Sequence, residues 1–449
     1  MHCSLFSSGR EALLAILKSL NLHSGEEVIL QAYTCGVLSN AIHAAGGVPT
    51  YIDVSPHSLN IDPKKVEEAI TPRVRAIICQ HTFGIPADAK ALREICSRHH
   101  CALIENCAHV IPDRSPRGDG MSRRAGECGN GIGLFGDFML LSFGRDKAVS
   151  GVTGGAALTS HTFSHRRLSA LEQASQELPP HTIARLLLYP LIMTVARPLY
   201  GIAVGKALLA VLRRARVLLP VIMESEKRGH VIPILHCLPN ACAALALQQL
   251  RVHEKLRQHR AEIVSMYRAA FPPESFAQPQ LSPGRLSLIR FPLFLKMENP
   301  SMQQPLRNGA QMFPSPIDVL REELERENIH LSDGWHGSAV LPPSFDQEGA
   351  GYRAGSCPNA EIVARSILTL PTHPLMGRRE VQRLIATLKA KLARSTLEGE
   401  ALRYGGPARS GRPGGPTRPI LARREARQTG DVRVLKAGDR KRFSLLSSP

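Results

Sequence analysis

The sequence predicts a mostly parallel α/β sheet with helices on both faces, followed by a smaller α/β domain. Three observations lead there. Short apolar runs and amphipathic helical stretches alternate from Arg10 to Asn106. A further apolar run, Phe138 to Phe143, ends in a small-residue turn that carries Lys147, and then in Gly151, Gly154 and Gly155. From about Leu245 the pattern changes to long helices separated by isolated strands. Repeated strand–helix–strand units make a parallel sheet, and such sheets bind ligands at the carboxyl ends of their strands.

The elements follow in order. Arg10 to Leu20 places Ala12, Leu13, Ile16, Leu17 and Leu20 on one helical face, with Ser8-Gly9 before it as N-cap and point of close approach. Glu27 to Ala32 reads as a strand, and Ser39 to Ala45 as part of a helix closed by Gly46-Gly47. Val48 to Val54 is the next strand, and Pro63 to Ile70 a helix capped by Asp62. Val74 to Gln80 is a strand, and Gly84 to Asp88 turns into the helix Ala89 to His99. The strand Cys101 to Asn106 precedes a long polar loop reaching Gly133. Later, Leu245 to Phe271 reads as one long helix, Leu286 to Leu295 as a strand and Ile317 to Asn328 as a helix. Glu361 to Leu370 and Glu380 to Leu392 complete the set. The expected domains are 1–235, with an apolar helical insertion at 183–223, then 236–395, then a basic tail at 396–449.

Composition narrows the function classes. One Trp and 5% aromatics argue against a nucleic-acid reader built on stacked rings, and no specific nucleic-acid partner is expected. The ten cysteines are scattered without a CxxC pair, which points to a reduced, cytoplasmic setting and to no metal site. No basic region followed by an apolar run opens the chain, so no secretory signal is expected. From Ala401 onward, twelve basic residues stand against three acidic ones, half of the +18 net charge. This Gly/Pro-rich stretch has no apolar period and is expected to be disordered, so the charge says little about the core.

The expected topology gathers chemistry at one mouth. Ser8-Gly9 at a helix N-terminus offers backbone N–H groups and a favourable dipole to a phosphate. Ser142 adds a hydroxyl, and Asn106 and His109 leave the end of the neighbouring strand. Lys147, on a rigid strand exit among small residues, is a candidate imine-forming nucleophile; a surface lysine in a tight turn is the plainer alternative. A phosphate cradle, a lysine amine and polar groups under a ring are what pyridoxal 5′-phosphate requires.

Ser8-Gly-Arg-Glu-Ala-Leu13, His81-Thr-Phe-Gly-Ile-Pro-Ala-Asp88, Ile104-Glu-Asn-Cys-Ala-His109 and Ser142-Phe-Gly-Arg-Asp-Lys147 with Gly154-Gly155 occur in that order. Together they resemble the successive motifs of the DegT/StrS-type sugar aminotransferases, fold type I pyridoxal-phosphate enzymes. The resemblance runs from about Ser7 to about Leu392. It implies a seven-stranded-type sheet and a homodimer. It also implies transfer of an amino group from an amino acid, glutamate in many members, to a nucleotide-linked ketosugar of polysaccharide biosynthesis. It assigns Lys147 as the catalytic lysine. Ser8, Gly9, Arg10 and Ser142 would lie at the cofactor phosphate, and Asn106 and His109 at the ring. For His109, a purely structural histidine is the alternative, and Arg10 would reach phosphate or a carboxylate.

Several departures stand against the family pattern. Asn106 occupies the place of a carboxylate that keeps the pyridine nitrogen protonated, and a neutral amide cannot supply that charge. Glu105 cannot replace it, because neighbouring strand residues point to opposite faces. Two other readings therefore stay open: a weakened relative that binds cofactor or sugar nucleotide in a regulatory role, and other pyridoxal-phosphate chemistry such as dehydration. Cys35 lies where some members stack an aromatic, with Tyr33 as a candidate substitute. The Asn-x-Arg motif that reaches a partner subunit's phosphate is missing, with Leu235 and Cys237 in its place and Asn240 displaced. The usual N-terminal arm is nearly missing, which leaves open a start upstream of Met1. Within 183–223, no apolar run reaches the ~20 residues that cross a bilayer. A helical hairpin buried in the large domain is the favoured reading there, and a basic amphipathic pair at a membrane surface or partner subunit the alternative. Trp335, in a loop with His336 and Tyr352, is either packing or a ligand contact.

Overall fold

A computed structural model describes residues 1–55, 58–112, 131–229, 233–272, 281, 286–294, 316–327, 329–331 and 334–403. The chain begins with β1 (His2–Phe6), α1 (Gly9–Leu20), β2 (Glu27–Gln31), β3 (Thr34–Cys35), α2 (Val37–Ala44) and β4 (Val48–Ile52). It continues with α3 (Pro63–Ala69), β5 (Val74–Gln80), α4 (Ala89–His99), β6 (Ala102–Asn106), β7 (Phe138–Ser142) and β8 (Gly155–Thr159). Seven of these strands form one sheet in the order β1-β8-β7-β6-β5-β2-β4. From β7 to β4 all neighbours are parallel, whereas β8 runs antiparallel to β7 and to β1.

Strand alternation sorts the core into two layers. Val28, Leu30, Ile78, Ile104, Phe138 and Leu140 face α1 and α2, where Leu13, Ile16 and Leu17 are fully buried. Each such side chain contributes about 1.5–3 kcal/mol relative to exposure. Ile29, Ile77, Cys79 and Leu103 face the other way, against Val66 of α3 and Leu92 and Ile95 of α4. By the same alternation Asn106 and Ser142 share the α1 side, and Glu105 lies opposite.

Beyond the sheet come α5 (Thr162–Gln173), α6 (Pro180–Ala196), α7 (Val204–Arg214), α8 (Glu224–Lys227), α9 (Asn240–Arg251) and α10 (His253–Ala270). Then follow β9 (Arg290–Phe294), α11 (Pro316–Arg326), β10 (Val340–Leu341), α12 (Pro358–Ser366), β11 (Ile367–Pro371) and α13 (Arg378–Arg403). β9 and β11 pair antiparallel, and β10 pairs parallel with β3. The core of this second group takes in Tyr33, Phe83 and Trp335, so it packs directly against the strand ends of the main sheet.

Three expectations need correction, and two strands arise where none was expected. The long helix Leu245–Phe271 is two helices, broken at Val252, which takes φ −106 and ψ 8 and bonds back to the Gln249 and Leu250 carbonyls. β1 and β8 carried no clear sequence signal, because β1 is mostly exposed and β8 is a run of small residues. The hairpin favoured for 183–223 is not buried. On α6 only Leu186 and Ala196 are buried, and on α7 only Gly205 and Leu209. Finally, the tail expected at 396–449 begins later, because residues 396–403 continue α13; from residue 404 onward it lies outside the described residues, as does most of the polar loop, at 113–130.

Candidate functional site

Two glycines set the geometry of the sheet's C-terminal mouth. A Cβ on Gly9 would stand 2.7 Å from Ser142 Oγ, and one on Gly155 would stand 2.4 Å from the Ser8 carbonyl. Only their missing side chains let the first turn of α1 press against the ends of β7 and β8. Ser8 caps α1, its Oγ accepting from the Glu11 N–H at 3.3 Å, which leaves its own O–H to donate. The first N–H groups of a helix have no internal partner, so this turn presents a set of donors beside the Ser142 hydroxyl.

Ser8, Gly9, Arg10, Asn106, His109, Ser142 and Lys147 all line one cavity of about 1590 Å³. Lys147 sits in a turn closed by its N–H to the Gly144 carbonyl at 3.3 Å. Its side chain is 18% exposed, with Nζ 3.7 Å from Asp146 Oδ1. Asp146 also lies 3.9 Å from Arg290 Nη2. Burial alone would raise its carboxyl pKa, but Lys147, Arg290 and His109 prevail and hold it at about 2. Asp146 is the group sequence reasoning missed, and its position next to the lysine was the one available signal.

Asn106, 4% exposed, ends β6 on the α1 side, where its Oδ1 accepts from the Ala108 N–H at 3.1 Å. The amide NH2 is what remains for a ligand, and it can only donate. His109 accepts the Phe83 N–H on Nδ1 at 3.1 Å and stacks on the Phe83 ring, centroids 5.9 Å apart. Burial, then Lys147 and Arg290, push its pKa well below the ordinary histidine value. An accepting Nδ1 requires the same neutral ring. His109 is thus bonded into the loop and faces the cavity at once.

Arg10 turns away from the cradle. It forms an ion pair with Glu226 and donates to the Val221 carbonyl, so it reaches a carboxylate of the chain itself. Tyr33 does not take the place of a ring-stacking aromatic: it is fully buried, off the cavity, and donates its hydroxyl to the Trp335 carbonyl at 2.7 Å. Trp335 lines the cavity and packs edge-on to His109 at 4.9 Å. Leu235 is buried in the α1-side core and the Cys237 thiol donates to the Ser175 carbonyl at 3.4 Å, so both side chains are engaged within the chain.

Glu105 acts on the opposite face of the sheet. It accepts from the Gly133, Phe135 and Gly136 N–H groups at 2.6–2.7 Å and meets His81 Nε2 at 3.2 Å. His81, Glu105 and Cys107 approach within 4.8 Å of one another. That cluster is a hydrogen-bond brace rather than a cation site. His81 Nδ1 accepts from the Ala87 N–H and the Glu105 oxygens are taken by donors. Glu105→Ala is expected to destabilise the fold by about 3–5 kcal/mol, because it strands buried donors. A urea titration would measure it. Burial raises the Glu105 pKa, but His81 and the backbone donors win and lower it. Its stabilisation is therefore present above the ordinary glutamate pKa and is lost as pH falls through the depressed value.

Comparison with known proteins adds a family. Over 179 residues the chain is 33% identical to an L-glutamine:2-deoxy-scyllo-inosose aminotransferase of Micromonospora echinospora, covering 40% of each chain. Over 105 residues it is 40% identical to a 3-oxo-glucose-6-phosphate:glutamate aminotransferase of Bacillus subtilis, covering 23% of this chain and 24% of the relative. The matched segments thus span under half of those relatives. The fold superposes on a DegT DnrJ EryC1 StrS aminotransferase from Brucella abortus with a TM-score of 0.59 at 18% identity, covering 87% and 86% of the two chains. A sequence profile of the DegT/DnrJ/EryC1/StrS aminotransferase family matches residues 1–181 and 224–389, leaving out only the α6–α7 region and the tail. The chain belongs to that family.

Proposed function

We propose that the protein is a pyridoxal-phosphate-dependent aminotransferase that moves an amino group from glutamate or glutamine to a ketosugar, in its finer form a nucleotide-linked one. The observation that carries this reading is the meeting of the Lys147 amine with the Ser8–Gly9–Ser142 cradle on one cavity. When bound, the cofactor supplies an aldehyde for the lysine and a ring that accepts electrons. The residues fit it: a Cβ on Gly9 would fill the cradle, and neutral His109 offers a face beside the ring space. Ser8, the α1 N-terminus and Ser142 would hold the phosphate. Asn106 would donate to the ring nitrogen. Lys147 would bond the aldehyde and, once displaced, carry a proton between donor and acceptor carbons.

Amino acids should convert the loaded protein to its amine form, and ketosugars should restore the starting spectrum with an aminosugar product. Asn106 favours a second reading, a binding relative with weakened chemistry; binding without conversion by any amino acid would establish it. Dehydration is the other chemistry to exclude, by a product assay.

Two further features belong to this reading. Leu247, Leu250 and Val252 are exposed on and after α9, an apolar edge that a second copy would cover in a homodimer; sedimentation velocity tests this. Leu188, Leu191 and Val195 on α6, with Val204 and Val211 on α7, form exposed apolar stripes beside Arg213 and Arg214. These suit peripheral contact with an anionic membrane surface, which vesicle co-sedimentation tests. Among the described residues no helix is long and apolar enough to cross a membrane.

A further inference from the structure

The region that the family profile leaves out supplies a wall of the cavity, and that wall carries guanidinium groups. Arg185 of α6 and Arg145 of the turn before Lys147 both line the cavity and are half-buried. Arg145 Nη1 donates to the Leu219 carbonyl at 2.8 Å, and its guanidinium lies over the Tyr189 ring, 3.9 Å from the centroid. Arg185 Nε donates to the Val217 carbonyl at 3.4 Å. Neither forms an ion pair among the described residues, in contrast to Arg10 with Glu226. Removing a cation from water without a counter-charge is costly. Here two are drawn part-way into a cavity and oriented by three neutral partners, Tyr189, Val217 and Leu219, all of which belong to the added region. Each guanidinium keeps further N–H donors in a planar fork suited to phosphate oxygens.

We propose that Arg145 and Arg185 form an anion subsite for a phosphate or diphosphate group on the acceptor. The assignment of that anion to the acceptor rests on the aminotransferase reading; anion binding by the two arginines does not. These two residues are not among those of the Ser8–Gly9–Ser142 cradle, so on this proposal a loaded protein would hold two phosphate groups at once. A nucleotide diphosphate and a lipid diphosphate present the same chemistry to it. Leu186, Met193 and Leu209 line the cavity nearby and would accompany an isoprenoid chain.

Calorimetry on the cofactor-loaded protein decides the matter, with pyrophosphate, UDP and geranyl diphosphate as probes and the cofactor band as a folding control. Pyrophosphate binding is expected to weaken at least tenfold in Arg185→Gln and in Arg145→Gln. A preference for UDP over geranyl diphosphate identifies a nucleotide-borne anion, and the reverse a lipid-borne one; either supports the subsite. Equal pyrophosphate binding by wild type and Arg185→Gln, or none by wild type, overturns it. Should Arg145→Gln disturb the Lys147 turn, Arg185→Gln alone is decisive, because Arg185 stands on α6. Failure to load the cofactor would count against the aminotransferase reading, whereas unchanged binding in Arg185→Gln counts only against the subsite.

Discussion

Lys147→Ala is expected to remove the visible absorbance of the lysine-bound cofactor and to lower amino transfer by roughly 10⁴-fold, the upper end of what one positioned acid–base group contributes. The amine is largely withdrawn from solvent, and among the described residues the other lysines lining the cavity are Lys206 and Lys227. The variant also removes the nearest cation from Asp146, whose carboxyl should then titrate above its present value of about 2. His109 loses one of the charges that depress it and should become easier to protonate. Borohydride reduction followed by peptide mass analysis gives the direct check. An adduct on another lysine, or a band that survives in the variant, would remove the basis for the assigned chemistry.

The second large effect runs the other way. Asn106→Asp is expected to raise the donor-driven conversion by about tenfold or more, equivalent to ~1.4 kcal/mol of barrier. The Asn106 oxygen is engaged by the Ala108 N–H, so the amide meets a ring nitrogen as a donor and favours its unprotonated form. A carboxylate at that position would accept a proton-bearing nitrogen instead and strengthen the electron sink. Single-turnover kinetics with glutamate measure the change. An unchanged rate would show that the charge is not limiting, and Asp146→Asn would then be the next substitution to examine.

Much of this site is legible in the sequence. Strand alternation alone separates Asn106 from Glu105, and the structure puts them on opposite faces. Ser8-Gly9 reads as a cap because a small pair precedes an amphipathic run, and its close approach to Ser142 follows from the missing Cβ. What the sequence hides are relations without a local signal. The electrostatic company of Asp146 depends on Arg290, far along the chain and brought in by β9. The placement of α6 and α7 is one such relation, because apolar content does not by itself mean burial. Those helices instead expose much of their apolar surface and turn arginines toward the cavity.

The contact of Arg10 with Glu226 and Val221 has a thermodynamic consequence. It fastens the first turn of α1 to Val221, near the end of the added region, and to Glu226 of α8 just beyond it. Any coupling that this contact carries between the cradle and the acceptor side of the cavity is reciprocal. Whatever factor a bound acceptor lends to retention of the cofactor, the cofactor must return to affinity for the acceptor, and cutting this contact would change that one shared factor.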